Sequence, residues 1–330
     1  MKEDFKVEED VLNQFKENIK KTKPIEVITN KTNNKITKKS PTKITEKKVE
    51  NKRRAIRPKP KKLKKATFKA VKSKSIYRED FPPKLIDLDE VSSTFWKSFQ
   101  PILFSGERTV LNISYMGVST GKITISTKED TRLGDVDTFH INARVKTADF
   151  YSYLYEIDDY CDSYVSKTNF TPLKFSLIQR QSSQDIDDLQ LFDHTKMKTY
   201  SFYKRVTKEK EKKEKKVKDI PKFFQDPLSV LYFIRGLPMI TNKTYVIPLV
   251  NQGKVEVLKA TFEKTEMIKT ALGNKNAYRI KISTKHKGKT IEGGDMIFWF
   301  SADDRRVFLK FSAKIKIGTV SGEIESYKEI

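Results

Sequence analysis

The residues able to do chemistry are few in this sequence, and their spacing converges on no known reaction. Adjacent carboxylates occur at Asp158/Asp159, Asp187/Asp188 and Asp303/Asp304. Acid–base work on a glycosidic bond needs two carboxyls aimed at one place, whereas neighbours along a strand face opposite sides. All three pairs fall at predicted strand ends, where turn chemistry is the simpler reading. Cys161 is the only cysteine, so neither an intrachain disulfide nor a multi-cysteine zinc site is encoded. His140, His194 and His286 stand far apart, and none forms a metal-ligand pattern with its neighbours. The sequence contains no Gly-rich phosphate loop, no nucleophile elbow and no HExxH run, and Gly293-Gly294 reads as a hairpin connection. No cofactor is implied, and the chain is expected not to be an enzyme.

Four positions are singled out for ligand binding: Glu107, Asp226, Arg235 and Trp299. Aromatics cluster at Tyr151, Tyr153, Tyr155, Tyr160 and Tyr164 and recur at Tyr200, Phe202, Tyr203, Phe298 and Phe300. Core filling is the simpler role for them. A barrel lined in this way could also hold a hydrophobic or glycan-like ligand.

The elements that must position these residues are strands. Residues 107–115 and 118–126 flank Met116-Gly117 as a hairpin, and further period-two runs lie at 137–146, 151–166, 171–182, 187–193 and 196–206. The second half predicts strands at 244–250 and 254–265 across Asn251-Gln252-Gly253, then at 276–285, 295–301, 305–316 and 318–327. In the run after residue 305, Val307, Leu309, Phe311, Ala313, Ile315 and Ile317 are expected on one face. Residues 85–99 read as a short helix or lead-in. Asp226-Pro227 to Arg235-Gly236 carries a helical N-cap, proline at the first position and glycine beyond the end. That helix is apolar nearly all round and must be buried, with Arg235 partnered by a carboxylate or carbonyls. The fold class is all-β: an antiparallel barrel-like or strongly curved sheet with one buried short helix over residues 79–330.

Ahead of it, residues 1–78 read as a disordered, lysine-rich tail with too little apolar surface to offset chain entropy. Within residues 1–75 there are 25 Lys and Arg against 9 Asp and Glu. A second cluster at 204–218, read as a basic loop, holds 9 against 3, so the rest of the +24 formal charge is close to balanced. Arg53, Arg54, Arg57, Lys61, Lys62, Lys64 and Lys65 form the densest block, suited to lipid head groups, an envelope polymer or nucleic acid. Residues 5–19 could form an amphipathic helix with Phe5, Val11, Leu12, Phe15 and Ile19 on one stripe, needing a partner surface to persist. No apolar run is long enough for a transmembrane helix, and MKEDFKVEED lacks the features of a secretory signal, so the chain as written looks cytoplasmic.

Several segments, in order, resemble a bacterial family known as domain of unknown function 3108. They are Phe104-Ser-Gly-Glu107 with Tyr115, Gly117 and Gly121, the 156–160 region, Asp226-Pro-Leu-Ser to Arg235-Gly236-Leu-Pro238, and Trp299-Phe-Ser-Ala-Asp303-Asp304 to Ile317-Gly318. The resemblance covers about residues 100–328 and departs in the basic tail. It implies an antiparallel barrel-like domain, usually exported to the bacterial periplasm or envelope, with no catalytic residues to carry over. The leading functional expectation is therefore a non-catalytic binding or structural domain of the cell envelope whose tail contacts an anionic surface. A cytoplasmic nucleic-acid-associated protein using the tail and the 204–218 loop is the alternative, and a carboxylate hydrolase the third.

Overall fold

The computed structural model describes residues 17–19, 76–286, 289–290, 296–315 and 317–329. The chain divides into two compact units, Met1–Lys20 with Glu79–Ile330, and Lys21–Arg78. The first unit groups the opening residues with the β domain and not with the tail that sequence reading ran from 1 to 78. The basic block Arg53 to Lys65 lies outside the described residues.

The strands of the first half are β1 (Glu17–Ile19), β2 (Arg108–Tyr115), β3 (Val118–Leu133), β4 (Val136–Thr147), β5 (Asp158–Ser166), β6 (Pro172–Gln181), β7 (Gln184–Asp193), β8 (Lys198–Val206) and β9 (Glu211–Asp219). The second half adds β10 (Thr244–Asn251), β11 (Lys254–Thr270), β12 (Gly273–His286), β13 (Lys289–Thr290), β14 (Met296–Ser301), β15 (Phe308–Lys314) and β16 (Thr319–Lys328). The helices are α1 (Pro83–Trp96), α2 (Asp149–Ser152) and α3 (Ser229–Gly236).

One antiparallel path runs β10-β11-β12-β14-β15-β16-β2-β3-β4-β5-β6-β7-β8-β9, with β1 on β3 and β13 on β12. Neighbours in the path are neighbours in sequence except at β12–β14, where β13 intervenes, and at β16–β2, so almost every connection is a hairpin. The free edges are β9 and β10, and the chain between them closes the gap. Gln225 bridges Leu249 in parallel, its N–H donating to Pro248 O and its carbonyl accepting from Val250 N, both at 2.9 Å. Asp89 of α1 holds the same stretch by accepting from the N–H groups of Lys222 and Phe223. The main core lies inside the sheet, where α1 and α3 bring Phe95, Trp96 and Phe233 against strand residues such as Ile141, Phe175, Phe192 and Phe300. This is the curved, barrel-like sheet with a buried helix that the alternation predicts.

Four local expectations are corrected. The 151–166 run is not one strand: β4 and β5 pair only from Lys146↔Asp158 onward, so residues 148–157 must reverse direction, and α2 does so. The basic stretch at 204–218 is not a loop but the end of β8 and the edge strand β9, which turn at Thr207–Lys210. The 305–316 run starts as a strand only at Phe308. A bulge between Trp299 and Phe300 sends Val307 and Leu309 to one side and Phe308 and Phe311 to the other, leaving Ile315 exposed. Glu17–Ile19 are extended, not the end of a helix, and residues 5–16 lie outside the described ones.

Gly236 also serves a different purpose from the one its position implies. It is the last residue of α3 and has no positive φ; a Cβ there would collide with the Phe99 ring and Gln100 O. The glycine lets the helix end sit against the segment after α1. Gly236→Ala is expected to cost about 1–3 kcal/mol through overpacking, read as a lower urea midpoint with unchanged slope.

Candidate functional site

Three polar or apolar concentrations stand out, and each is placed by the ends of strands or of α3. The first surrounds α3. Asp226 caps it: Oδ1 accepts from Leu228 N at 2.8 Å and Ser229 N at 2.7 Å, and Oδ2 accepts from Ser163 Oγ at 2.5 Å. Burial pushes the Asp226 carboxyl up to about 6, against the pull of these hydrogen bonds. At the other end Arg235 Nη1 donates to Glu107 Oε1 at 2.6 Å, with both side chains buried. Arg235 Nε and Nη2 donate to Arg305 O at 2.9 and 2.5 Å. Arg306 returns the favour, its Nη1 donating to Arg235 O and Leu237 O at the helix C-terminus. Asp303 shapes that turn by accepting from Ser301 Oγ and from the N–H groups of Arg305 and Arg306.

The four residues singled out from sequence are therefore not one site. Glu107 and Arg235 meet, but the cavity beside them is about 10 Å³, the size of one water and too small for an organic ligand. Asp226 is a helix cap. Trp299 sits on the outward face, its Nε1 donating to Glu266 Oε1 at 2.8 Å, in a small cluster with Val307, Leu309 and Ile324. The carboxylate pairs divide across the sheet as strand geometry requires, although two of them lie inside strands and not in turns. Asp158 pairs Arg144 outside while Asp159 accepts from Gln179 and Gln181, and Asp187 pairs Arg180 while Asp188 faces in. Among the described residues no group of three or more His, Cys, Asp or Glu is placed to hold a metal ion. Cys161 also faces inward, and burial, reinforced by Asp226, Asp162 and Asp188, pushes its thiol up, away from nucleophilic character.

The second concentration is the seam where the β10–β11 turn meets β7 to β9. Gln190 Oε1 accepts from Gln252 N at 2.8 Å, and Gln190 Nε2 donates to Asn251 Oδ1 at 3.3 Å. Gly253 packs on Lys216 in the left-handed conformation that closes the turn. Asp188 is buried beside this network, and burial drives its carboxyl up to about 7 despite Gln252, Lys216 and Gln190.

The third is the rim formed by the β2–β3 and β15–β16 turns and the residues around α2. Tyr115 Oη donates to Ile317 O at 3.0 Å, and Ala148 N donates to Thr120 O at 2.9 Å, tying the three segments together. Residues of β2 to β4 and those around α2 line an apolar cavity of about 240 Å³, whose walls include Ile113, Val145, Tyr151, Leu154 and Ile157, with the exposed Lys146 at its edge. Phe150, Tyr153 and Leu154 are 77%, 92% and 80% exposed. Soluble surfaces seldom show large apolar side chains so close together unless something binds there. From sequence, core filling is the simpler role for Tyr151, Tyr153 and Tyr155 and ligand lining the other; they belong to this rim. The signal was present, since residues 150–155 are almost all apolar with no period-two alternation.

The profile of a family described as protein of unknown function, DUF3108, matches residues 110–325. No curated protein matches the chain. Similar solved structures include the following three. The first is a beta-barrel-like protein of domain of unknown function DUF1849 from Brucella abortus, 10% identical with a TM-score of 0.45, covering 69% of this chain and 98% of that one. The second is a candidate exported protein with a YmcC-like fold from Bacteroides fragilis, 10% identical with a TM-score of 0.32, over 70% of this chain and all of that one. The third is a candidate lipoprotein from Parabacteroides distasonis, 13% identical with a TM-score of 0.32, over 70% and 99%.

Two stability outcomes follow from the buried charges. Arg235→Ala strands the Glu107 carboxylate and should cost about 3–5 kcal/mol, whereas Glu107→Leu with Arg235→Met should recover part of that loss in denaturant melts. Asp188 binds its proton more tightly folded than unfolded. Its contribution is whole below the unfolded carboxylate value near ~4 and is lost as pH rises toward about 7. Asp188→Asn should flatten that fall, which is at most about 1.4 kcal/mol per pH unit, in melts from pH 4 to 8.

Proposed function

The chain belongs to the DUF3108 family, and on that footing we propose that it is a non-catalytic binding domain of the bacterial cell envelope. Its rim takes an apolar ligand with a polar or anionic head, and its tail contacts an anionic surface. The observation that carries this reading is the cavity of about 240 Å³ beneath residues 151–157. Apolar walls favour a chain or ring over water, while a charged group at the mouth fixes which end enters. Lys146 is that group. Ligand pockets for drug-sized molecules begin near 300 Å³, so this one suits a single acyl chain or ring.

The exposed Phe150, Tyr153 and Leu154 around the mouth would bury against the surface that supplies the ligand, each gaining roughly 25 cal/mol per Å² removed from water. The basic block from Arg53 to Lys65 would add on the order of 1 kcal/mol per cation close to an anionic membrane. No helix among the described residues is long and apolar enough to cross a membrane. The envelope rests on what the family resemblance implies.

Nucleic acid, the second reading, would draw on the tail and on the 204–218 stretch, which holds nine basic against three acidic side chains. In β9 three of the five lysines pair within the strand, Glu214 with Lys212 and Lys216 at 2.5 Å and Glu211 with Lys213 at 2.7 Å, which weakens the field they present.

Vesicle flotation of the full chain tests the proposal. The expected result is binding to phosphatidylglycerol vesicles over phosphatidylcholine ones, weakened by salt, and cut severalfold in Tyr153→Ser/Leu154→Asp with an unchanged melting temperature. Organic extraction of the protein from its native cells should release an acyl-bearing molecule. Equal binding to vesicles and duplex DNA, indifferent to the rim changes, would overturn the proposal in favour of nucleic acid.

A further inference from the structure

The outward face of β4 to β8 holds side chains that a free barrel wall would leave in water. The register places Lys128, His140, Tyr164, Lys174 and Leu191 on one outward row, and Phe202 with Lys215 on the next. Their neighbours Ile141, Phe175 and Phe192 point into the core, to which the outward residues do not belong. Yet His140 is 2%, Tyr164 4%, Leu191 1% and Phe202 1% exposed, and Leu133 at the end of β3 is 2% exposed. Side chains buried to that degree on an outer wall require a cover.

The chain itself indicates where the cover comes from. β1 pairs Glu17↔Leu133 through Ile19↔Thr131, at the margin of this face. Residues ahead of Glu17 therefore start from the patch, and Met1–Lys20 falls in the same compact unit as the barrel. Phe5, Val11, Leu12 and Phe15 recur at helical spacing in that segment. A helix over 5–16 would be about 18 Å long, and the four spacings from β4 to β8 amount to about 19 Å.

Charge agrees with the length. Residues 1–19 hold six acidic and three basic side chains. The face carries Lys174, whose Nζ lies 4.9 Å over the Tyr164 ring, and Lys215, 5.8 Å over Phe202, with Lys128 nearby.

We infer that residues 5–16 of this chain dock across the outward face of β4–β8 as an amphipathic cover strapped down by β1. The cover is independent of the rim and its ligand. It gives the opening residues a folded role separate from the basic tail that follows them.

The test uses the full chain carrying Leu12→Asp and Phe15→Asp. Binding of a hydrophobic dye should rise severalfold over wild type. A synthetic peptide of residues 1–19 should reverse the rise, and the same peptide with both substitutions should not. Hydrogen exchange on the wild-type chain supplies a readout that needs no variant: amides of residues 5–16 should be protected relative to those of 21–75. Equal exchange in the two segments would overturn the inference. So would protection that disappears on dilution in step with a dimer, which would place the segment on a second copy.

Discussion

An antiparallel meander that curls on itself leaves two edges, and here everything depends on how the gap between β9 and β10 is closed. The chain crosses it through residues 220–228 and drops α3 inside. An apolar helix can enter a barrel only if its terminal N–H and carbonyl groups are satisfied without water. Asp226 supplies acceptors at one end and Arg306 supplies donors at the other. Arg235 then carries a full charge into the same interior, which obliges β2's neighbour Glu107 and the Asp303–Arg306 turn to meet it. The buried pair is thus a cost accepted at a junction where helix, strand and hairpin turn must register together.

This gives physical content to segments on which the resemblance to the family rests. Asp226-Pro-Leu-Ser, Arg235-Gly236 and the Asp303-Asp304 turn are one interlocked set of caps and close packing. They specify how the sheet is closed. A site for chemistry would place its charges where a substrate could reach them, and these are sealed beside about 10 Å³ of space. The charge pattern of β9 has a similar local cause. An edge strand exposes unpaired backbone groups, and a row of lysines discourages another strand from adding there. Glutamates between them keep the row from repelling itself.

Much of the fold was legible because it is built from hairpins, whose signals are local. The Met116-Gly117 and Gln252-Gly253 turns, and the Asp226 cap, need only a few neighbouring residues to be recognised. What was hidden depends on contacts distant in sequence. Glu107 and Arg235 are 128 residues apart, and no pattern joins them. The bulge at Trp299/Phe300 flips later side chains without leaving a mark in the alternation of β15. β9 was obscured for another reason: nearly every residue in it is charged, so period two has no apolar phase to display.

The rim shows how such a miss can point to function. Core positions and exposed binding positions draw on the same aromatic residues, so composition cannot separate them. Pattern can. In β4, Phe139, Ile141 and Ala143 alternate with polar residues because one face meets the core and the other does not. Around α2 the apolar residues run on without alternation, which neither a strand with one buried face nor an ordinary polar turn requires. Phe150, Tyr153 and Leu154 remain exposed after the fold has taken every apolar side chain it can enclose. Closure of the sheet explains Asp226 and Arg235, and edge protection explains the lysines of β9. Neither accounts for the rim, and the apolar cavity beneath it is the feature of this face that the fold does not use for itself.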